Sequence, residues 1–543
     1  MRSCQYTHYQ LNDLLRPDQL LNIDIVIDRL VHHRERQSVI CIIGDYDCDG
    51  ATATAVAIRG LKMLGFQQLT YLVPNRFKSG YGLSPDIVQQ SLAVDPRPDV
   101  LLTVDNGISS IDGVACARQA NLDVIITDHH LPGRTLPDTP YIINPQLAGD
   151  TFSSKAICGV GVVFYVLLAL RGRLMSSGVL SAPVNMMPLL DLVTLGTIAD
   201  CVPLDQNNRT LIHHGLQRLR RGQACAGIRA LCNVARVRLS SLTAVDLAFR
   251  VAPKLNAAGR MDDMSIGVRC LITDDARLAD SLSQQLADFN SERLQVQDSM
   301  HQQALAIIGK QPLRERSVVV LYHPEWHQGV IGILASRIKE ATHKPCIVFA
   351  PDGDSNIKGS GRSVEGIHLR DLLDSVATQT GLIHKFGGHA MAAGLSLAHE
   401  NLDAFITAIN SQIDTYSAAL FTPSIQTDGP LSPNEMTIAT AEALLDYGIW
   451  GHSYPEPVFD NVLRVQHKRL LKDKHLKLRL MSDHGCYDAI WFFCSDEAQR
   501  LIDVNSSYRF FYRLAINTYL GERTLNLLLE YATVVAECEA VEI

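Results

Sequence analysis

The chain has 543 residues, 47% of them hydrophobic and 20% charged, a composition that excludes a disordered or fibrous polypeptide and predicts two to four folded domains. Its thirteen cysteines include no C-x-x-C pair, which argues against a thiolate zinc site or a disulfide scaffold and favours a reducing cytoplasm. A net charge of −8 is not that of a general nucleic-acid binder, so any affinity for a polyanion must be local.

Nothing at the start of the chain has the pattern of a secretory signal. Over residues 24–205, strand-like runs alternate with helical stretches, as in βα units around a parallel sheet. Residues 39–43, 100–104 and 124–127 are short β-branched runs that predict buried parallel strands. Each leads into acids or imidazoles: Asp45-Tyr46-Asp47-Cys48-Asp49, Asp105-Asn106-Gly107 and Asp128-His129-His130. Residues 50–55 read as a helix start whose small side chains permit close packing. Cys48 reads as a small filler. Four prolines between 132 and 145 mark a loop with a short strand near its end. The apolar residues 156–170 are too few to span a bilayer and predict a buried helix.

A mainly helical segment is expected over 186–256, carrying a fourth acidic cluster, Ala199-Asp200. A fifth, Asp262-Asp263, reads as an exposed turn. Residues 275–310 predict a long amphipathic helix with Leu282, Leu286, Phe289, Leu294 and Val296 on its apolar face, bridging two lobes. A second α/β lobe opens with 317–321 and 345–349 and has glycine-rich loops at 359–361 and 387–388. Past a linker near 422–432, five β-rich runs (459–463, 477–481, 487–493, 508–516 and 524–529) predict a small barrel. Here Arg464, Lys468, Arg469, Lys472, Lys474, Lys477 and Arg479 stand against one acid, Asp473. With Tyr487, Trp491, Phe492, Phe493, Tyr508 and Phe510 they are expected to form a basic groove with stacking platforms, although many of these rings are also needed to fill a barrel.

A single aspartate after a strand is ordinarily a turn or a helix cap, but four clusters at one sheet rim are not accounted for in that way. Carboxylates a few ångströms apart need a counter-charge. Oxygen ligands with one or two imidazoles suit Mg²⁺ or Mn²⁺, and two such ions can clamp an in-line phosphoryl displacement.

Gly44-Asp45-Tyr46-Asp47-Cys48-Asp49-Gly50, Thr103-Val104-Asp105-Asn106-Gly107-Ile108, Asp128-His129-His130 and Gly196-Thr197-Ile198-Ala199-Asp200 resemble, in order and spacing, the four motifs of the DHH phosphoesterase superfamily. Leu255-Asn256-Ala257-Ala258-Gly259-Arg260, Trp326-His327-Gln328-Gly329-Val330-Ile331-Gly332, Gly359-Ser360-Gly361-Arg362-Ser363 and Gly387-Gly388-His389-Ala390-Met391 are similar to segments of its bacterial single-stranded-DNA exonucleases. The resemblance runs from about residue 25 to the C-terminus. It implies a parallel-sheet phosphoesterase domain with a helical extension (1–270), a connecting helix (271–315), a second α/β, DHH-associated domain (316–422) and an OB-fold-like nucleic-acid-binding barrel (430–543).

The resemblance further implies two divalent cations, Mn²⁺ or Mg²⁺, held by Asp47, Asp49, Asp105, His129 and Asp200, with Asp105 bridging. Asp45 would support the first site, where Ile43 stands in place of a histidine common among relatives. His130 would donate to phosphate or orient its neighbour, or else be a packed histidine bonded to backbone. Substrate contacts would come from Arg76, Asn256, Arg260, Ser360, Arg362 and His389, with Ser360 and Arg362 on a terminal 5′-phosphate. The implied activity is 5′ to 3′ digestion of single-stranded DNA to mononucleotides in repair and recombination. A cytoplasmic monomer, a single-stranded-DNA-binding protein and a helicase as partners, and no membrane complete the expectation. Two alternatives stay open: another DHH phosphoesterase acting on oligoribonucleotides or cyclic dinucleotides, and a non-catalytic replication scaffold.

Overall fold

The computed structural model describes residues 9–76, 81–310, 317–422, 424–471, 475–492, 494, 496–519 and 522–535. Lys472, Asp473, Lys474 and Phe493, named above, lie outside them. The chain forms two compact units, one of residues 15–200 with 214–424, the other of residues up to 14, 201–213 and those from 425 onward.

The first unit begins with the expected parallel sheet. Strands β1 (Ile40–Ile43), β2 (Leu69–Leu72), β3 (Val100–Val104), β4 (Asp123–Thr127) and β5 (Ile142–Ile143) lie in the order β2-β1-β3-β4-β5, all parallel. Every residue of β1 and β3 is buried, as their unbroken apolar runs require. The order reverses direction between β1 and β3, and in such sheets the crevice beyond the strand C-termini at that switch point takes the ligand.

Helices α1 (Ile23–Glu35), α2 (Cys48–Met63), α3 (Pro85–Leu92) and α4 (Ile111–Gln119) alternate with the strands, followed by α5 (Gly159–Ser176) and α6 (Leu190–Ala199). The run Gly50-Ala51-Thr52-Ala53-Thr54-Ala55 is wholly buried. Its small side chains let α2 pack against the sheet, α5 and α6 at once. A Cβ on Gly60 would strike Leu167 of α5. The apolar stretch is longer than its sequence suggested: α5 has 18 residues and is apolar enough to cross a membrane by length and composition. It is instead packed among α1, α2 and α6, with Leu170 and Leu174 buried. Burial, not shortness, is the argument for a core helix.

The helical extension comprises α7 (Gln206–Arg220), α8 (Ala226–Val234), α9 (Ala244–Asp246), α10 (Ala252–Met261) and α11 (Ser265–Ile272). Asp262 is exposed, and Asp263 accepts from the Ser265 amide and hydroxyl at the start of α11. The long helix is α12 (Ala276–Lys310). Leu282 and Leu286 are on its buried face with Ala279, Met300 and Ala304, but Leu294 is 40% exposed, so the apolar stripe shifts along the helix. At mid-helix that face is taken by polar side chains, Arg293 and the buried Gln297.

The second lobe is a mixed sheet ordered β6-β7-β8-β10-β9, made of β6 (Val319–Tyr322), β7 (Cys346–Asp352), β8 (Asn356–Arg362), β9 (Ile383–Gly388) and β10 (Ala392–Ala398). It is flanked by α13 (Ile331–Thr342), α14 (Leu369–Thr380) and α15 (Leu402–Ile413). The glycine runs expected as loops are strands. Gly359 and Gly361 point to the covered face of β8, where a Cβ would press on Phe349 and Leu369. They are small because large neighbours fill that face.

In the second unit, α16 (Ile438–Tyr447) precedes a closed five-stranded barrel. The strands β11 (Phe459–Leu471), β12 (His475–Ser482), β13 (Gly485–Trp491), β14 (Ser507–Tyr519) and β15 (Glu522–Val534) are ordered β11-β12-β13-β15-β14, with α17 (Asp496–Leu501) between β13 and β14. Trp491, Tyr508, Phe510 and Tyr512 fill its core and Tyr487 packs on it. Of the described aromatics expected as platforms, Phe492 alone is largely exposed, at 51%, its ring edge-on to His475. The basic strip is also thinned by local pairing. Lys468 donates to the Gln499 and Ile502 carbonyls, Arg464 to Asn505, and Arg479 pairs with Asp488. Arg469 and Lys477 remain, directly opposite each other across β11 and β12.

Candidate metal centre and phosphate site

Asp45 follows β1 and Asp105 follows β3, so the sheet's switch point delivers one carboxylate from each side. Asp45 is 4% and Asp105 2% exposed. Asp105 has a left-handed backbone (φ +62°), a conformation in which Asp and Asn are the least disfavoured non-glycine residues. Asn106 fastens the two strand ends together by donating to the carbonyls of Ile43 and Val104 at 3.0 and 2.9 Å.

Helix α2 starts earlier than its small residues indicated, inside the first motif. Asp47 is its N-cap, accepting from the Gly50 amide at 3.0 Å, and Asp49 lies in its first turn. The Asp49 carboxylate accepts from the Gly159 and Val160 amides at 2.6 and 3.0 Å. These are the first two amides of α5, a helix N-terminus that favours an anion. Asp200 is the C-cap of α6. A Cβ on Gly159 would collide with Asp105, so glycine there is a condition of the site's closeness.

Three overlapping groups of candidate ligands result among the described residues, one of them Asp105 with His129 and His130. In the other two sets, oxygens of Asp45, Asp47 and Asp105 lie within 4.8 Å of one another, as do ligand atoms of Asp49, His129 and Asp200. Asp105 Oδ1 is 3.1 Å from His129 Nε2, which is 3.5 Å from Asp200 Oδ2. Asp105 therefore touches both sets, the position expected of a bridging ligand. Asp45, expected to complete or tune the first set, is within ligand reach in it. Ile43 is fully buried in the sheet's apolar core, and the set beside it is completed by Asp45.

The residues fit divalent cations. Asp105 Oδ1 and His129 Nε2 are both buried, face each other and make no hydrogen bond. Two lone pairs held in this way are repulsive unless a proton or a metal cation lies between them. Burial, then the Asp47 charge, pushes the Asp45 carboxyl well above its ordinary range, and burial with Asp200 does the same to Asp49. Asp105 is raised by burial and then Asp49, and Asp200 is pushed up to about 7 by burial and Asp47. Burial and the neighbouring His130 lower His129 to about 4, so its ring is a neutral ligand. A hydrogen bond to the Ile157 backbone orients it, as second contacts of ligand imidazoles commonly do.

His130 has a different role. Burial alone would lower it, but Asp128, 2.7 Å from Nδ1, outweighs burial and holds the ring up to about 9. A protonated imidazole donates and does not ligate. Asp128 also accepts from the amides of Ile108, His129 and His130, so it organises the whole turn. The reading of His130 as a histidine packed on backbone does not describe this ring. Tyr81, 45% exposed, stands edge-on between His130 and Tyr46, with centroids at 6.0 and 5.9 Å.

The predicted substrate residues come from several elements of the first unit. Asn256 on α10 accepts from the Cys48 amide at 2.8 Å, so its oxygen braces the first motif. Arg76 lies 4.2 Å over the Tyr46 ring. Arg260 donates to the Gly329 carbonyl at 3.1 Å, and burial, then Arg76, Arg293 and Arg362, lowers it to about 9. Ser360 and Arg362 share one face of β8 by strand alternation. Arg362 donates to Ser360 Oγ and to the Gly361 carbonyl, and a Cβ on Gly332, at the start of α13, would meet both side chains. His389 follows β9, exposed, and its ring is lowered by burial and then by the charge of His130.

Sequence reasoning missed Asp128 as the group that charges His130, the Gly159 and Val160 amides and Tyr81. Only Asp128 had a signal, its place in the triplet. The others depend on contacts across the fold.

The fold and this site define a metal-dependent phosphoesterase of the DHH type. Residues 39–197 match the DHH family N-terminal domain, 315–415 the DHHA1 domain and 427–531 the RecJ OB domain. The chain is 43% identical to the single-stranded-DNA-specific exonucleases RecJ of Salmonella typhimurium and of Escherichia coli, in each case over 98% of this chain and 93% of the relative. It superposes on the crystal structure of RecJ in complex with Mn²⁺ from Thermus thermophilus with a TM-score of 0.80 and 29% identity, covering 95% of this chain and 72% of the other. The Mg²⁺ complex from the same organism gives 0.74. The chain belongs to the RecJ family.

Proposed function

We propose that the protein is a metal-dependent exonuclease that degrades single-stranded DNA from 5′ to 3′ and releases mononucleotides. The observation that carries this is the Asp105–His129 contact, two unpaired buried ligand atoms joining two acidic sets at the sheet's switch point. Asp45, Asp47 and Asp105 would hold one cation and Asp49, Asp105, His129 and Asp200 the other. When bound, Mn²⁺ or Mg²⁺ neutralises the phosphoryl oxygens and lowers the pKa of water for in-line attack. His130, kept cationic by Asp128, donates to a phosphoryl oxygen. Arg260 and His389 orient the scissile region, and Ser360 and Arg362, with Arg76, hold the terminal 5′-phosphate through forked, charge-assisted bonds.

In the second unit, Arg469 and Lys477 face each other, an arrangement that costs energy until a polyanion lies across it. With Phe492 they supply a charged track and an exposed ring for a single strand. The domain boundaries at 270, 315 and 422–430 belong to the same reading. So do a monomeric state, action in repair and recombination alongside a single-stranded-DNA-binding protein and a helicase, and a reducing cytoplasm, which the free thiols suit.

Digestion of single-stranded DNA labelled at either end, with and without Mn²⁺, tests the proposal. Labelled mononucleotide should appear first from the 5′ end and require the ion. Early release from the 3′ end, or internal cuts, would overturn it. Asp200→Ala should abolish digestion while strand binding persists, and Arg362→Ala should reduce the preference for a 5′-phosphorylated end.

A further inference from the structure

Helices α2 and α6 pack together and run antiparallel, since Asp49 at the start of one and Asp200 at the end of the other share a ligand group. Their opposite ends meet away from the metal centre. There Ile58, Arg59 and Lys62 of α2, with Leu189 and Asp191 at the start of α6 and Ile272 at the end of α11, line a cleft of about 380 Å³. Arg59 stands ten residues beyond Asp49 on α2, about 15 Å along the helix axis. The cleft is therefore separate from the ligand sets, and its volume lies in the range of small-molecule sites.

Its wall offers three kinds of contact. Ile58, Leu189 and Ile272 are apolar. Arg59 is held by its Nε on the Leu271 carbonyl at 3.0 Å and by its Nη2 on the Thr273 carbonyl and Asp274. Asp274 is 87% exposed, so water screens that pair. Arg59 Nη1 and the exposed Lys62 ammonium have no protein partner among the described residues. Asp191 is 1% exposed, and its two oxygens accept from the Leu192 and Cys225 amides at 2.7 and 2.8 Å. It has no ion pair among the described residues and feels Arg218 and Arg59 only at longer range. A buried carboxylate in that state has lone pairs to spare and gains from a further N–H donor.

We propose that this cleft is a binding site for a nucleoside 5′-monophosphate, distinct from the metal centre. The base lies between the apolar walls with an N–H toward Asp191, and the phosphate takes Arg59 Nη1 and Lys62 in charge-assisted bonds. Inorganic phosphate would leave the walls and Asp191 unused, and an unphosphorylated nucleoside would leave the two cations unused. The choice of a mononucleotide among nucleoside phosphates rests on the exonuclease reading above, which makes that class the product.

The test is titration calorimetry of the full-length protein in EDTA with deoxyadenosine 5′-monophosphate, deoxyadenosine and inorganic phosphate, adenine being chosen for its amino donor. The nucleotide should bind at least about tenfold more tightly than either part. Arg59→Gln also removes bonds to the residues that follow α11, so the deciding variant is Lys62→Glu, at an exposed position. It should weaken the nucleotide about tenfold with Tm unchanged, whereas Lys62→Arg and Asp200→Ala should bind it like the wild type. Unchanged affinity in Lys62→Glu, or no saturable binding by the wild type, overturns the site. Loss in Asp200→Ala alone would place the nucleotide at the metal centre and overturn it equally. No turnover is involved, so a protein that binds the nucleotide in this way but digests no single-stranded DNA would refute the exonuclease reading and leave the site standing.

Discussion

Asp105 concentrates the conflict at this centre. It is buried, it stands in a left-handed backbone, and its carboxyl is raised by burial and by Asp49, Asp47, Asp45 and Asp200. Asp105→Asn keeps the shape and the tolerated backbone while removing one charge. The metal-free variant should therefore melt at a higher temperature than the wild type, while activity falls about a thousandfold or more. Thermal unfolding with EDTA and a nuclease assay with Mn²⁺ check both halves, and a lower Tm would refute the charge argument. At this scale the acids were legible in the sequence because carboxylates after apolar runs stand out. Whether Asp45 completes or merely tunes the first set was not, since strand direction alone does not say which of three neighbouring acids turns inward. Nor was the cationic state of His130, which depends on the rotamer of Asp128.

Among the elements, the start of α5 does what no motif announced. Its first two amides hold Asp49, 110 residues earlier in the chain, and Gly159 leaves room for Asp105. Gly159→Ala should therefore weaken Mn²⁺ binding and cut activity at least tenfold while leaving the barrel folded; titration calorimetry and far-UV circular dichroism separate the two. The sheet strands were legible as β-branched runs and α12 as a long amphipathic pattern. The strands carrying Ser360 and Arg362 were read as loops because glycine usually signals a turn, whereas here it yields to Phe349 and Leu369. On the barrel, reversing both Arg469 and Lys477 to glutamate should weaken binding of long single strands and flatten its salt dependence by about two phosphate contacts. Hydrolysis of a 5′-phosphorylated dinucleotide should persist. Loss of both activities together would count against a separate strand track.

At the scale of the whole molecule, the two units divide the chain unevenly. The metal centre belongs entirely to the unit of residues 15–200 and 214–424, and the barrel to the other. Cation binding to the folded state stabilises by mass action. In scanning calorimetry, Mn²⁺ should raise the transition of the unit that binds it by several degrees and leave the barrel's transition where it was. A uniform shift of both would show either that the two units unfold together or that ion binding is not confined to the acidic centre. The three-part layout was legible because composition changes at its seams. The contribution of residues 201–213 to the barrel's unit was not, because a short stretch in the middle of a helical region carries no local sign of the distant section it joins.

The left-handed aspartate also bears on how such proteins change over generations. Asp and Asn codons differ by a single base, and at position 105 the exchange costs no backbone strain and relieves repulsion. If Asp105→Asn behaves as predicted, a silent copy of this enzyme is one mutation away and folds at least as well as the active one. Selection for chemistry, not for folding, must keep the carboxylate in place. When that selection lapses after gene duplication, the thermodynamically downhill path leads to an intact scaffold without a reaction.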